Sequence, residues 1–336
     1  MNTVARQRLY IQEVSVRDGF QIEPRFVPTE QKIELINALS RTGLAKIEVT
    51  SFTSPKAIPA LADAEQVMRR IDRVAGVQYA ALVPNARGAE RALACNVDEL
   101  NLVISASDTH NLANLRMSQE QSLAQFADIV AMVAGQAQVN VSLSTAFGCP
   151  FEGEIADAVV LGMLQRLARI GVQHITLCDT TGMANPVQVE RLCREVRSAW
   201  PELTLTAHFH DTRSMGLANA LAALQAGVER FDASLGGLGG CPFAPGASGN
   251  VCTEDLVHMF EAMGYDTGVD LDTLLVLARG LPQIVGHEVP GQVAKAGPWT
   301  RRYPVPPRLE GVAGQPRPSG PCGAPLAAAT TSQERA

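Results

Sequence analysis

Two histidines two positions apart, His208 and His210 in AHFHDT, close an apolar, β-rich run, LTLTAHFH (203–210). Alternate side chains of a strand share a face, so both imidazoles project to the same side. Neutral imidazole is a common ligand of divalent cations, and one carboxylate with one amide oxygen completes a site with open positions. Asp18 in VSVRDGFQIE and Asn250 at the end of LGGLGGCPFAPGASGN supply those two donors. A His-x-His pair alone also occurs on ordinary surfaces; its place at a strand end, within reach of Asp18 and Asn250, argues for a metal site.

Arg17, next to Asp18, is either an ion-pair partner or a guanidinium that steadies an oxyanion beside a metal. Glu48 in KIEVTS (46–51) suits a bidentate anchor for that arginine better than a direct catalytic role. Asp179, closing HITLCD, is either a substrate-facing carboxylate or the side chain of an Asx turn. The stretch 235–250 holds six glycines and two prolines but no lysine, and it comes late in the chain, which excludes both common phosphate-loop patterns. It reads instead as a flap, with glycines as hinges and Pro242 and Pro245 limiting its conformations. Cys241 within it is either incidental or an acid that meets substrate on closure. His110, His174, His258 and His287 are given structural or surface roles, and Cys95, Cys149, Cys178, Cys193 and Cys252 read as small buried apolar residues.

Positioning these groups falls to a regular alternation. Strand-like runs at 9–16, 46–51, 77–83, 99–105, 139–145, 174–180, 203–210 and 230–235 each precede a segment of helical period. In the first helix, placed over 28–43, Ile33, Ile36 and Leu39 recur at helical spacing and Gly43 suits a C-cap. Eight such units before about residue 265 predict a (β/α)8 TIM barrel. The rival open sheet would carry a glycine-rich turn after its first strand, where RDGFQIEP has a single glycine. Residues 1–296 are expected to form the barrel with additional C-terminal helices. From Gly297 the chain holds eight of its 20 prolines and reads as a mostly disordered tail, 297–336.

With 336 residues, 46% hydrophobic, the chain can build one large core, and its net charge of −6 leaves no basic surplus for nucleic acid. No run is long and apolar enough for a membrane span, and the first strand-like run starts too early for a targeting segment. Seven scattered cysteines without a CxxC pair fit a reducing compartment, so a cytoplasmic protein is expected.

Taken together, VSVRDGFQIE, KIEVTSFTSPKAIP, GCPFEG, AHFHDT and GGLGGCPFAPGASGNVCTEDLV resemble the hydroxymethylglutaryl-CoA lyase family of metal-dependent aldolase-type barrels, over about residues 10–285. The resemblance implies retro-Claisen cleavage of 3-hydroxy-3-methylglutaryl-CoA to acetyl-CoA and acetoacetate, an acyl-CoA partner, a homodimer and a role in leucine breakdown. It implies Asp18, His208, His210 and Asn250 as ligands of Mg²⁺ or Mn²⁺, Arg17 as the enolate stabiliser, and Glu48 as an acidic residue near it. Cys241 is implied in protonating the carbanion. Asp18 or His208 would accept the hydroxyl proton. Gln21 beside the mouth, with Asn140 and Ser142 on strand five, is expected to meet substrate; the last two stand where the well-studied lyases carry Arg-Gly-Tyr. Ile22 replaces the usual asparagine of RDGLQNE, and 105–118 lacks the usual wording. Arg25 and Lys56 are candidates for the coenzyme A phosphates or ordinary surface charges. Condensing enzymes of the isopropylmalate and homocitrate synthase type, and a non-catalytic metal-binding barrel, are the competing readings.

Overall fold

The computed structural model describes residues 6–240, 246, 248–304 and 306. Contacts divide the chain into Met1–Pro298 and Trp299–Ala336. The first unit contains, among the described residues, eight parallel strands in sequence order, closed by pairing of the first with the last. They are β1 (Tyr10–Glu13), β2 (Lys46–Ser51), β3 (Gln78–Leu82), β4 (Glu99–Ser105), β5 (Gln138–Ser144), β6 (His174–Asp179), β7 (Thr204–Phe209) and β8 (Arg230–Ala233). This is the TIM barrel that the alternation predicts.

The surrounding helices are α1 (Thr29–Leu39), α2 (Ala64–Arg70), α3 (Ala86–Leu93), α4 (Asp108–Leu115), α5 (Gln119–Val133) and α6 (Asp157–Ile170). They continue with α7 (Pro186–Ala199), α8 (Gly216–Gln225), α9 (Thr253–Ala262), α10 (Leu271–Val285) and α11 (Val293–Ala296). Local sequence accounts for their ends. Ser118 caps α5 through a reciprocal box with Gln121, Asn185 caps α7 ahead of Pro186, and Gly171 ends α6 in the left-handed region. Helix α1 is shorter than 28–43: it stops at Leu39, and Gly43 lies in the following turn. There φ is +90° and a Cβ would lie 2.0 Å from the Gly268 carbonyl, so close backbone approach, not capping, requires the glycine.

Strands covered by helices are apolar on both faces. Every residue of β2 is buried, and Ile47 and Val49 pack outward with Leu100, Leu102, Val141 and Leu143 from neighbouring strands. The barrel interior is polar instead, with Gln12, Glu48, Asn101, Asn140, Thr176 and Thr206 buried. The first strand departs from expectation in a way that matters. It ends at Glu13 rather than continuing to residue 16, and Ser15–Gly19 winds into a π-helical turn in which the Gly19 amide donates to Val14 O. Such turns concentrate at functional sites because they re-aim side chains. Here the turn puts Arg17 and Asp18 over the barrel mouth.

No helix among the described residues is long and apolar enough to cross a membrane. Of the second unit, residues 299–304 and 306 are described and exposed, and the expected disorder falls mainly on residues outside those described.

Candidate active site

At the C-terminal mouth a cavity of about 1130 Å³ opens among the strand ends. Arg17, Asp18, Gln21, His208 and His210 line it, together with Lys56, Ser142, Ser144, Cys178 and Asp232. Asp18, His208 and His210 each turn a ligand atom inward, all within 4.8 Å of one another. The two imidazole centroids lie 5.2 Å apart. His210, one residue beyond β7, bridges to Asn250, and that bridge brings the amide into the group.

Unpaired atoms test whether this cluster suits a cation. Asn250 uses Nδ2 to donate to Asp18 Oδ2 (2.7 Å) and to Leu238 O (2.9 Å). Its Oδ1 is buried with no hydrogen-bond partner, and so is His210 Nδ1. Buried polar atoms are normally matched, so these two orphaned atoms, both on side chains of the cluster, suit a bound cation. A carboxylate, two imidazoles and an amide oxygen form a mixed O/N donor set suited to a divalent cation.

The charges are set by close neighbours. Burial raises the Asp18 carboxyl, but Arg17 and the two imidazoles outweigh it and hold Asp18 below the ordinary carboxylate value. Burial together with the neighbouring His208 pushes His210 down to about 4, so its ring is neutral and a nitrogen lone pair is free. For His208 burial works downward, yet the hydrogen bond and charge of Asp232 prevail and raise it.

Arg17 is held by a relay that crosses the barrel. Its Nε and Nη2 both converge on Glu48 Oε2 at 2.6 and 2.5 Å, and Nη1 donates to Asp18 Oδ1 at 2.7 Å. The expected anchor therefore forms, though as a fork onto one oxygen. Glu48 Oε1 is left to accept from Asn101 Nδ2, whose Oδ1 accepts in turn from Asn140 Nδ2 and Ser142 Oγ. Burial alone would lower the guanidinium's pKa; Glu48 and Asp18 reverse this and keep it charged. Gln21 Nε2 adds a bond to Asp18 Oδ1 (3.1 Å).

Beneath the mouth, Glu13 ties β1 to the loop after β8. It accepts from the Ser15 and Leu235 amides (2.8 and 2.9 Å) and from Thr253 Oγ1 (2.7 Å). Glu254 accepts from the Gly236 amide (3.0 Å). Hydrogen bonds thus latch the start of 235–250 at Leu235 and Gly236. Gly236, Gly237 and Gly239 have φ of +65°, +75° and +108°, and a Cβ on Gly239 would meet Asn250 Nδ2 at 2.5 Å and Asp18 Oδ2 at 3.0 Å. Gly239 is glycine because its left-handed backbone packs against Asn250 and Asp18, whereas a Cβ on Gly236 or Gly237 would meet Leu281, Val289, Cys252 or Pro290. Cys241, Pro242 and Pro245 lie outside the described residues.

Other expectations are redistributed. Ser142 lines the mouth, but Asn140, two residues nearer the start of β5, borders a separate cavity of about 500 Å³ at the opposite end. Register explains this: side chains two apart share the interior face but lie in successive layers. Asp179 is not among the residues lining the mouth; its Oδ1 accepts from the Met183 and Ala184 amides (2.7 and 3.1 Å), four and five residues on, so it holds the wider turn after β6 and not an Asx turn, which would bond the residue two positions on. Lys56 lines the mouth, whereas Arg25 is exposed away from it. His110 is buried, takes a 2.6 Å bond between Nδ1 and Ser105 Oγ, and borders the cavity. Asn101 and Asp232 carry no spacing signal in the sequence; only their neighbours on other strands mark them.

An arginine held beside a carboxylate and two imidazoles, at the C-terminal mouth of a (β/α)8 barrel, defines an enzyme that handles developing negative charge. The chain belongs to the HMGL-like family, whose model matches residues 8–280. It is 46% identical over 291 residues to hydroxymethylglutaryl-CoA lyase YngG of Bacillus subtilis, covering 85% of this chain and 96% of that protein. It is 40% identical over 299 residues to (R)-citramalyl-CoA lyase of Chloroflexus aurantiacus, covering 86% and 94%. Among solved structures, the HMG-CoA lyase of Acinetobacter baumannii in complex with coenzyme A and 3-methylmalate is similar, with TM-score 0.86 and 56% identity over 89% of this chain and 98% of that one. These relatives are carbon–carbon lyases, and this chain is an enzyme of that kind.

Proposed function

We propose that this protein cleaves 3-hydroxy-3-methylglutaryl-CoA, or a related 3-hydroxyacyl-CoA, to acetyl-CoA and the corresponding oxo acid with the help of Mg²⁺ or Mn²⁺. The observation that carries this reading is the convergence of Asp18, His208 and His210 within 4.8 Å, with Arg17 beside them in the same cavity. Asp18, His208, His210 and Asn250 would hold the cation. When bound, it lowers the pKa of the substrate's tertiary hydroxyl.

The chain's own residues account for the remaining steps. Asp18 or His208 accepts the hydroxyl proton at the start of C–C cleavage. Arg17, kept charged and fixed by Glu48, faces the enolate oxygen of the departing thioester and costs no reorganisation as charge develops. Cys241 returns a proton to that carbanion. Gln21 steadies Asp18, and Ser142 offers its hydroxyl to the acyl portion. Lys56 at the mouth suits the anionic coenzyme. Asp179 contributes by shaping the turn after β6. A role in leucine breakdown, a cytoplasmic location and a homodimer complete the reading.

The identity of the acyl group has a second candidate. Ser142 and Ser144 make that wall small and polar, and the citramalyl-CoA lyase relative acts on a different acyl group. Incubating the Mg²⁺ form with hydroxymethylglutaryl-CoA, citramalyl-CoA and longer 3-hydroxy-3-alkylglutaryl thioesters, and following acetyl-CoA release, tests both. Release from none of them removes the lyase reading. Cys241→Ala should keep Mn²⁺ affinity and lose most turnover; unimpaired turnover takes the cysteine out of the mechanism.

A further inference from the structure

We infer that Asp232 is a positioning residue that fixes the tautomer of His208 and thereby the affinity of the site for its cation. This rests on the metal-site reading above.

Strands β7 and β8 pair in register at this level, with His208 opposite Asp232, so the two side chains leave neighbouring strands toward the same face. His208 Nδ1 lies 3.3 Å from Asp232 Oδ2, and both side chains are about nine-tenths buried. No other hydrogen-bond partner of the Asp232 side chain exists among the described residues, although charged groups surround it. Arg17, within electrostatic reach, spends its donors on Glu48 and Asp18. Glu48 is likewise engaged with Arg17 and Asn101.

A carboxylate is an acceptor only, so the proton of this bond belongs to Nδ1. That leaves the Nε2 lone pair as the ligand atom His208 can offer to the group formed with Asp18 and His210. An isolated imidazole is free to carry its proton on either nitrogen, and the Nε2–H form cannot bind a cation through that atom. Asp232 removes that choice in advance and makes the ring a stronger donor, as a carboxylate behind a metal-ligating histidine does. His210 has no comparable partner: its Nδ1 is buried and unbonded. The two histidines of the pair therefore differ in preparation, and His208 is the pre-oriented one.

Metal-free protein labelled with ¹⁵N-histidine provides a readout that needs neither cation nor substrate. At pH 8.5 the wild-type His208 should show a protonated Nδ1 and an unprotonated Nε2. Asp232→Ala should shift it toward the Nε2–H form. Asp232→Asn, which keeps an acceptor and the side-chain shape, should retain more of the Nδ1–H form. Titrated with Mn²⁺ and followed by electron paramagnetic resonance, Asp232→Ala should bind about 10–100-fold more weakly, with a smaller loss for Asp232→Asn. In a His208→Ala background, Asp232→Ala should have no further effect. Persistence of the Nδ1–H form in Asp232→Ala, unchanged Mn²⁺ affinity, or an undiminished effect without His208 would each overturn the proposal. A wild type that binds no Mn²⁺ yet shows the Asp232-dependent tautomer would count against the metal site and its consequence for affinity, and would leave the tautomer assignment standing.

Discussion

Asn250 donates from Nδ2 to Asp18 Oδ2 across 2.7 Å, joining residues 232 positions apart in the chain. The bond exists because β1 pairs with β8, which sets the turn after the first strand beside the loop after the last. It orients the amide so that Oδ1 remains without a protein partner.

The first prediction concerns that donor set. A chelator should abolish turnover of the wild type, and Mg²⁺ or Mn²⁺ should restore it. Asp18→Asn should weaken Mn²⁺ binding on the order of 100-fold, measured by calorimetry, because it removes the anion that Arg17, Gln21 and Asn250 all hold in place. Equal affinity would show that the cation binds elsewhere.

Glu48 tests how Arg17 is held. Glu48→Ala leaves a buried guanidinium without its principal counter-charge, a change that typically costs about 3–5 kcal/mol. Urea unfolding should show that loss. At concentrations where the variant is folded, kcat should fall roughly 100-fold with little change in KM, as when a stabiliser of developing charge is misplaced.

Gly239→Ala places a methyl group against Asn250 and Asp18 at a positive φ. The strain should cost about 1–3 kcal/mol, and Mn²⁺ binding should weaken as Asn250 is displaced. Gly76→Ala is the control, since φ there is +88° but nothing lies within 4 Å. It should cost only the backbone strain and leave metal affinity intact. Identical behaviour of the two variants would mean that Gly239 serves the backbone alone.

Glu254 makes a pH-dependent contribution whose sign follows from burial. Burial raises its carboxyl from 4.5 to about 7, so the folded protein binds this proton more tightly than the unfolded chain. Its contribution is fully present below pH 4.5, declines as pH rises through 7, and is lost above. Glu254→Gln mimics the protonated form. Its Tm should exceed that of the wild type at pH 8 and converge with it near pH 5. A Tm difference independent of pH would show that Glu254 remains ionised throughout.

Much of the site is legible in one dimension. His208 and His210 are visible because a period of two puts them on one face, and Arg17 with Asp18 because they are adjacent polar residues at the end of an apolar run. Asn101, Asp232 and Glu13 are not legible. None has a spacing or adjacency signal of its own, and its importance depends on a neighbour from another strand or loop. Asn140 and Ser142 look equivalent in sequence, yet the stagger of the strands sends one to each end of the barrel.

The alternation of apolar runs and helical periods determined by itself that eight units would form, because each run must bury two faces and each helix one. It also determined the donor types gathered at the candidate metal site, since donor chemistry belongs to the side chain and not to the fold. Closure of the sheet decided the rest. Pairing β1 with β8 brought Asn250 to Asp18, and pairing β7 with β8 brought Asp232 to His208. Closure also set Gly239 at a positive φ against Asn250 and Asp18, because distances between strands arise only once their hydrogen bonds set the register.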